Sequence, residues 1–185
     1  MLLYRRRLPH WFPDDATVFV TWRLAGSIPI NVGQTIAVRG LPTPSPPASF
    51  LQHDERLDRS LFGPVWLQDP RVASMLMHAL QYGETARQLY HLYASVIMPN
   101  HVHMVLEPRA AMPGIMQWLK GRTGRMANRI LERTGMPFWQ EESFDHWVRS
   151  AEELQEAIDY VEGNPVKAGL VGSKEQWAWS SARRF

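Results

Sequence analysis

The feature that most limits the folds open to this chain is residues 92–108, LYASVIMPNHVHMVLEP, two apolar runs of strand length joined at Pro99-Asn100. Proline presets φ at the first central position of a turn and asparagine tolerates the second, so the stretch predicts a tight β-hairpin. Side chains alternate between the two faces of a strand. Val102, Met104 and Leu106 therefore share one face of the second strand, and His101, His103, Val105 and Glu107 share the other. One face is wholly apolar; the other opens with two imidazoles. Histidines two apart on a strand have Cα atoms about 6.6 Å apart, close enough for their rings to converge on one cation. Histidine is the commonest metal ligand and titrates near neutrality, so the pair reads as a metal or acid–base site. Taken alone it reads equally well as two half-exposed polar residues, and its meaning depends on partners elsewhere.

The rest of the chain supplies elements to pack on that hairpin. Residues 17–24, TVFVTWRL, are β-branched and aromatic and predict a first strand. Residues 25–68 contain four glycines or prolines before the run PTPSPP at 42–47 and predict a long loop insertion. From Asp69 to His91 apolar residues recur at three-and-four spacing behind Pro70, the pattern of an amphipathic helix. Pro113 to Arg133 predicts a second helix, weakened at Gly121 and Gly124. It carries Arg122, Arg125, Arg129 and Arg133 along one stripe, which suits either a phosphate backbone or plain solvation. The second half of FWQEESFDHWVR, residues 138–149, predicts a short strand. Ser150 and Glu153 form a capping box opening a third helix, which Gly163-Asn164-Pro165 is expected to end.

That order, β-α-β-β-α-β followed by a helix, is the α+β ferredoxin-like arrangement, an antiparallel sheet in which the first and third strands are central. The histidine pair then lies mid-sheet. On the third helix Glu153, Glu156, Tyr160 and Asn164 line up about 110° from the Leu154/Ile158/Val161 stripe, so Tyr160 is open to a role other than packing.

Composition narrows the partners. A length of 185 residues supports one domain, and no apolar run approaches the roughly 20 residues of a membrane helix. The N-terminus has no apolar core of a secretory signal and there is no cysteine, which suits a cytoplasmic protein. Formal net charge is +2, yet the basic residues are nearly all arginine, including Arg5, Arg6 and Arg7 in a basic arm over 1–16. Arginine makes forked contacts to phosphate, so this balance permits a nucleic-acid partner.

MPNHVHMVLEP, FWQEESFDHWVR, Tyr160 within YVEGNPVKAGLV and a closing WAWSS together resemble the REP-associated tyrosine transposases, relatives of the single-tyrosine HUH transposases. The resemblance runs from about Thr17 to Ser181, with a transposase-like domain over 17–165 and a tail over 166–185. It implies a metal-dependent endonuclease and strand transferase for single-stranded or hairpin DNA, working as a monomer or homodimer. It further implies Tyr160 as nucleophile, and His101, His103 and Asn164 as ligands of Mg or Mn. Arg5, Arg6, Arg7 and the Arg122–Arg133 stripe are the candidate DNA contacts. Two other classes fit the same residues: an idle binder of folded nucleic acid, and a metal phosphodiesterase that uses water and dispenses with Tyr160.

Overall fold

The computed structural model describes residues 16–27 and 63–183. The arm with Arg5, Arg6 and Arg7, the PTPSPP run and most of the expected 25–68 insertion lie outside the described residues. The elements are β1 (Val18–Arg23), α1 (Pro70–Thr85), β2 (Tyr90–Ile97), β3 (His101–Pro108), α2 (Met112–Ile130), β4 (Phe144–Trp147) and α3 (Ala151–Lys167). They build one antiparallel sheet in the order β2-β3-β1-β4. This is the expected ferredoxin-like topology, with β1 and β3 central.

Strand alternation sorts the core into two layers. Val18, Val20 and Trp22 of β1 and Val102, Met104 and Leu106 of β3 pack beneath Val72, Leu76 and Leu80 of α1 and Ile115, Met116 and Leu119 of α2. On the opposite face, Phe19 and Val105 join Ala94, Val96 and the α3 residues Leu154, Ile158, Tyr160 and Val161. The sheet therefore separates α1 and α2 from α3.

Asp69 caps α1 by accepting from the Arg71 amide at 2.9 Å, with Pro70 next in line. Hydrogen bonds from the Arg71 side chain and amide hold its carboxyl down to about 2. The helix is shorter than its periodicity predicts. It stops at Thr85, Gln88 takes φ 51°, and Leu89 and Tyr90 turn into β2. Tyr90 keeps its place beneath α1 by donating its hydroxyl to the Leu80 carbonyl at 2.8 Å, which is how a strand residue mimics the helical period. Helix α2 runs unbroken through both glycines and ends at Ile130, leaving Arg133 beyond it. Gly124 faces Trp139 and Phe138, where a Cβ would stand 3.4 Å and 3.5 Å from them, in ordinary van der Waals contact.

Helix α3 starts where expected, with Ser150 accepting from the Glu153 amide at 3.2 Å. It does not end at Gly163-Asn164-Pro165 but continues through Pro165 to Lys167. A proline forfeits one amide donor, here the one that would reach the Val161 carbonyl, and the helix still closes beyond it with the Ala168 amide donating to the Asn164 carbonyl at 2.9 Å. The tail is part of the same fold. The Trp179 carbonyl accepts from the Ile97 amide at 2.9 Å, Ser180 bridges Val96, and the Ser95 amide donates to the Ser181 hydroxyl, so the tail lies along the outer edge of β2. Among the described residues no helix is long and apolar enough to cross a membrane.

Candidate functional site

The histidine pair sits on the α3 face of β3. Both residues are fully buried, and their Nε2 atoms stand 2.9 Å apart. Each ring is held from behind. His101 Nδ1 lies 2.6 Å from Asn100 Oδ1, so it carries a hydrogen and donates, leaving Nε2 with its lone pair. His103 Nδ1 lies 2.7 Å from the Thr21 hydroxyl, which can donate or accept. Thr21 faces His103 because the two are direct partners across the β1–β3 ladder.

Helix α3 lowers two side chains onto this pair. The amide nitrogen of Asn164, fully buried, stands 3.4 Å from His103 Nε2. A half-turn of the amide exchanges nitrogen for oxygen at that place. The Tyr160 ring lies edge-on to His103 with centroids 6.0 Å apart, and edge-on to Phe19 at 6.2 Å. Tyr160 and Asn164 thus belong to the buried side of α3, which is broader than the Leu154/Ile158/Val161 stripe suggests. Glu156 on the same expected line points to solvent.

The donor set is compatible with a divalent cation. Two imidazole nitrogens, each about 2.1 Å from one ion and at right angles around it, stand about 3.0 Å apart, close to the 2.9 Å separation here. Outer hydrogen bonds from Asn100 and Thr21 are the kind that fix the orientation and tautomer of metal-binding histidines. Among the described residues no three His, Asp or Glu side chains gather as a metal cluster; the third donor in this set is an amide.

Other candidates fall elsewhere. Glu107 accepts from the Tyr93 hydroxyl at 3.0 Å at the far end of β3, as befits a strand-end residue. Burial and then that bond raise the Tyr93 phenol above its ordinary range. His146 donates to Glu153 at 2.7 Å, tying the edge strand β4 to the first turn of α3, while the Arg149 amide donates to the other carboxylate oxygen. Burial alone would raise the Glu153 carboxyl, but those two bonds outweigh it and hold it below the usual range. Arg122, Arg125 and Arg129 of the arginine stripe are on α2, across the sheet from the histidines, and Arg133 lies just past its end. Arg122 lies over Tyr82 at 5.6 Å and Arg133 over Trp66 at 3.4 Å, while Arg125 lines a groove of about 780 Å³ between α2 and residues 136–141 and Arg129 is exposed. Trp139 donates to the Thr123 hydroxyl and Trp177 to the Ile97 carbonyl, so both indoles are built into the fold.

Sequence reasoning overlooked Thr21, Asn100 and Lys167. The Lys167 ammonium sits 5.3 Å over the Tyr160 ring, one turn beyond Asn164. The spacing 160, 164, 167 was a usable signal, and so was the alternation that sets Thr21 on the histidine face.

A profile of the family described as IS200-like transposase matches residues 71–164, a span that holds both histidines, Tyr160 and Asn164. That match covers half of the chain. The protein belongs to the IS200-like transposase family. Among relatives of this transposase-family chain, the REP-associated tyrosine transposase of Escherichia coli (strain K12) is 25% identical over 111 residues. That alignment takes in 60% of this chain and 64% of the relative, so the chain matches somewhat less than two thirds of that protein's length. A solved structure of a REP-associated tyrosine transposase bound to a REP hairpin superposes with a TM-score of 0.58 at 20% identity, covering 100% of this chain and 84% of that one. At that identity the likeness concerns the fold.

Proposed function

We propose that the chain is a metal-dependent DNA strand-transfer enzyme of the cytoplasm that nicks single strands beside hairpins through a covalent bond to Tyr160. The observation that carries this reading is the meeting of three elements: the Tyr160 phenol and the Asn164 amide from α3 against the His101–His103 pair in mid-sheet. Family membership and the relatives named for REP-associated transposition support it.

His101, His103 and, after the amide half-turn, Asn164 Oδ1 would hold a divalent cation such as Mg²⁺ or Mn²⁺. When bound, such an ion supplies polarisation of the scissile phosphate and favours loss of the phenolic proton. Tyr160 gives up that proton and its oxygen attacks phosphorus, while the bond to the 3′-oxygen breaks and that oxygen takes a proton. The products are a 5′-phosphotyrosine and a free 3′-hydroxyl. Because the link keeps the phosphodiester's energy, a 3′-hydroxyl attacking it rejoins DNA and restores the phenol. Lys167 places a positive charge near the ring on which negative charge develops. Phe19 and His103 fix the ring edge-on from two sides. Arg5, Arg6 and Arg7 with Arg122, Arg125, Arg129 and Arg133 are proposed as phosphate contacts. The α2 members lie behind the sheet, where they would hold parts of the DNA away from the scissile bond.

The test is incubation of labelled REP-like hairpin DNA carrying single-stranded flanks with protein and Mg²⁺ or Mn²⁺, followed by a denaturing gel. A protein-linked band is expected with wild type and is expected to vanish in Tyr160→Phe and in chelator. Nicking that survives in Tyr160→Phe would replace this reading with a water-using phosphodiesterase, and binding without nicking would replace it with an idle binder.

A further inference from the structure

Arg23 closes β1 directly opposite His101, so alternation puts its side chain on the face shared by Phe19, Thr21 and the two histidines. Residues directly opposed across antiparallel strands hold their Cβ atoms about 5 Å apart. The Arg23 backbone is fixed there, its carbonyl accepting from the Gln140 amide at 2.9 Å. The residue is half-buried, and one terminal nitrogen, Nη1, is withdrawn from water and makes no hydrogen bond among the described residues.

Several other cations among the described residues are compensated or hydrated. Arg71 pairs with Asp69 at 2.6 Å and Lys174 with Glu162 at 2.9 Å; Arg133, whose Nη1 likewise lacks a hydrogen bond among the described residues, has the Trp66 ring 3.4 Å away. Arg122, Arg125 and Arg129 stand in solvent. Arg23 has no carboxylate partner among the described residues, although a buried charge ordinarily requires one. Burial pulls its guanidinium below the ordinary arginine range. An uncompensated guanidinium beside a reaction centre is a prepared anion site, since its planar fork matches two oxygens of one phosphate.

We propose that Arg23 grips the scissile phosphodiester of the DNA strand, completing from β1 the site that β3 and α3 open. This rests on the strand-transfer reading and adds to it a residue that touches substrate. The counter-ion that the described residues do not supply is then the DNA itself, and the half-buried charge is kept because the phosphate compensates it on binding.

The test compares binding in a Tyr160→Phe background, where no cleavage blurs the equilibrium. The probe is a fluorescent hairpin oligonucleotide, with either a normal or a neutral methylphosphonate group at the linkage that the Tyr160 protein cuts. Adding Arg23→Met, similar in length but uncharged, is expected to weaken binding of the normal strand about 10- to 100-fold. The methylphosphonate is expected to cost the Arg23 protein a similar factor and the Arg23→Met protein less than about twofold, because the partner of that phosphate has already gone. Without DNA, Arg23→Met should melt no lower than its parent, since it removes a half-buried charge that has no carboxylate partner among the described residues. Should it unfold, Arg23→Gln, polar and also uncharged, carries the same comparison. A methylphosphonate penalty of equal size in both proteins, or undiminished binding by the variant, overturns the assignment to Arg23 and leaves the strand-transfer reading standing. No hairpin binding by the parent with Arg23 intact strikes down both.

Discussion

Replacing Thr21 by valine removes one hydroxyl from a central strand while keeping its shape, and the consequence is read at a metal. With both rings neutral, His101 donates through Nδ1 to Asn100 and offers a lone pair at Nε2. The 2.9 Å contact then requires His103 to carry its hydrogen on Nε2, with Nδ1 accepting from Thr21. Holding a cation demands the other tautomer of His103, with Nε2 bare and Nδ1–H donating to Thr21. The hydroxyl serves both states by rotating, which neither valine nor any other apolar side chain can do. An unsatisfied buried imidazole nitrogen costs about 1–3 kcal/mol. The cost is larger in the cation-bound state, where the ring's N–H is more strongly polarised. Mn²⁺ affinity of Thr21→Val, measured by titration calorimetry, is therefore expected to fall about 10- to 100-fold, and Thr21→Ser should restore most of it. Valine and wild-type proteins that bind Mn²⁺ within about twofold of one another, both folded by circular dichroism, would refute the tautomer argument.

Three further outcomes concern the scaffold. Ser150→Ala removes the cap of α3 and should cost about 1 kcal/mol in urea unfolding. Gly83→Ala would drive a Cβ into the Tyr90 hydroxyl and to 3.0 Å from the Trp118 ring, and an overpacking loss of about 1–3 kcal/mol is expected, visible as a lower Tm. The Glu153 carboxyl is held below its unfolded value, so the folded state binds its proton later as pH falls. Its contribution is complete above the unfolded carboxylate range, about pH 4.3, and is lost as pH drops through the lower folded value. Glu153→Gln should accordingly flatten the acid limb of a stability-against-pH curve, and an unchanged limb would refute that assignment.

Much of the fold was legible because it depends on short-range pattern. Alternation over 101–107 correctly divided β3 between its two layers, the β-branched run at 17–24 marked β1, and Ser150 marked the start of α3. Failures arose where long-range contacts overrode local signals. Tyr90 fits a helical period yet belongs to a strand, because its hydroxyl reaches a carbonyl ten residues back. Pro165 signals a stop yet lies inside a helix, which the Ala168 amide closes beyond it on the Asn164 carbonyl. For the candidate site, residue type and order singled out His101, His103, Tyr160 and Asn164, and the structure brings those four together. The places of Thr21, Asn100 and Arg23 follow instead from strand register or turn geometry, and register between β1 and β3 spans about eighty residues of chain.

The sheet stands as a partition between the imidazoles and the helices α1 and α2. Substitutions on the outer surfaces of those helices can accumulate without disturbing the groups that meet on the α3 side. A lineage built on this plan can vary one surface freely while inheriting the groups on the other intact.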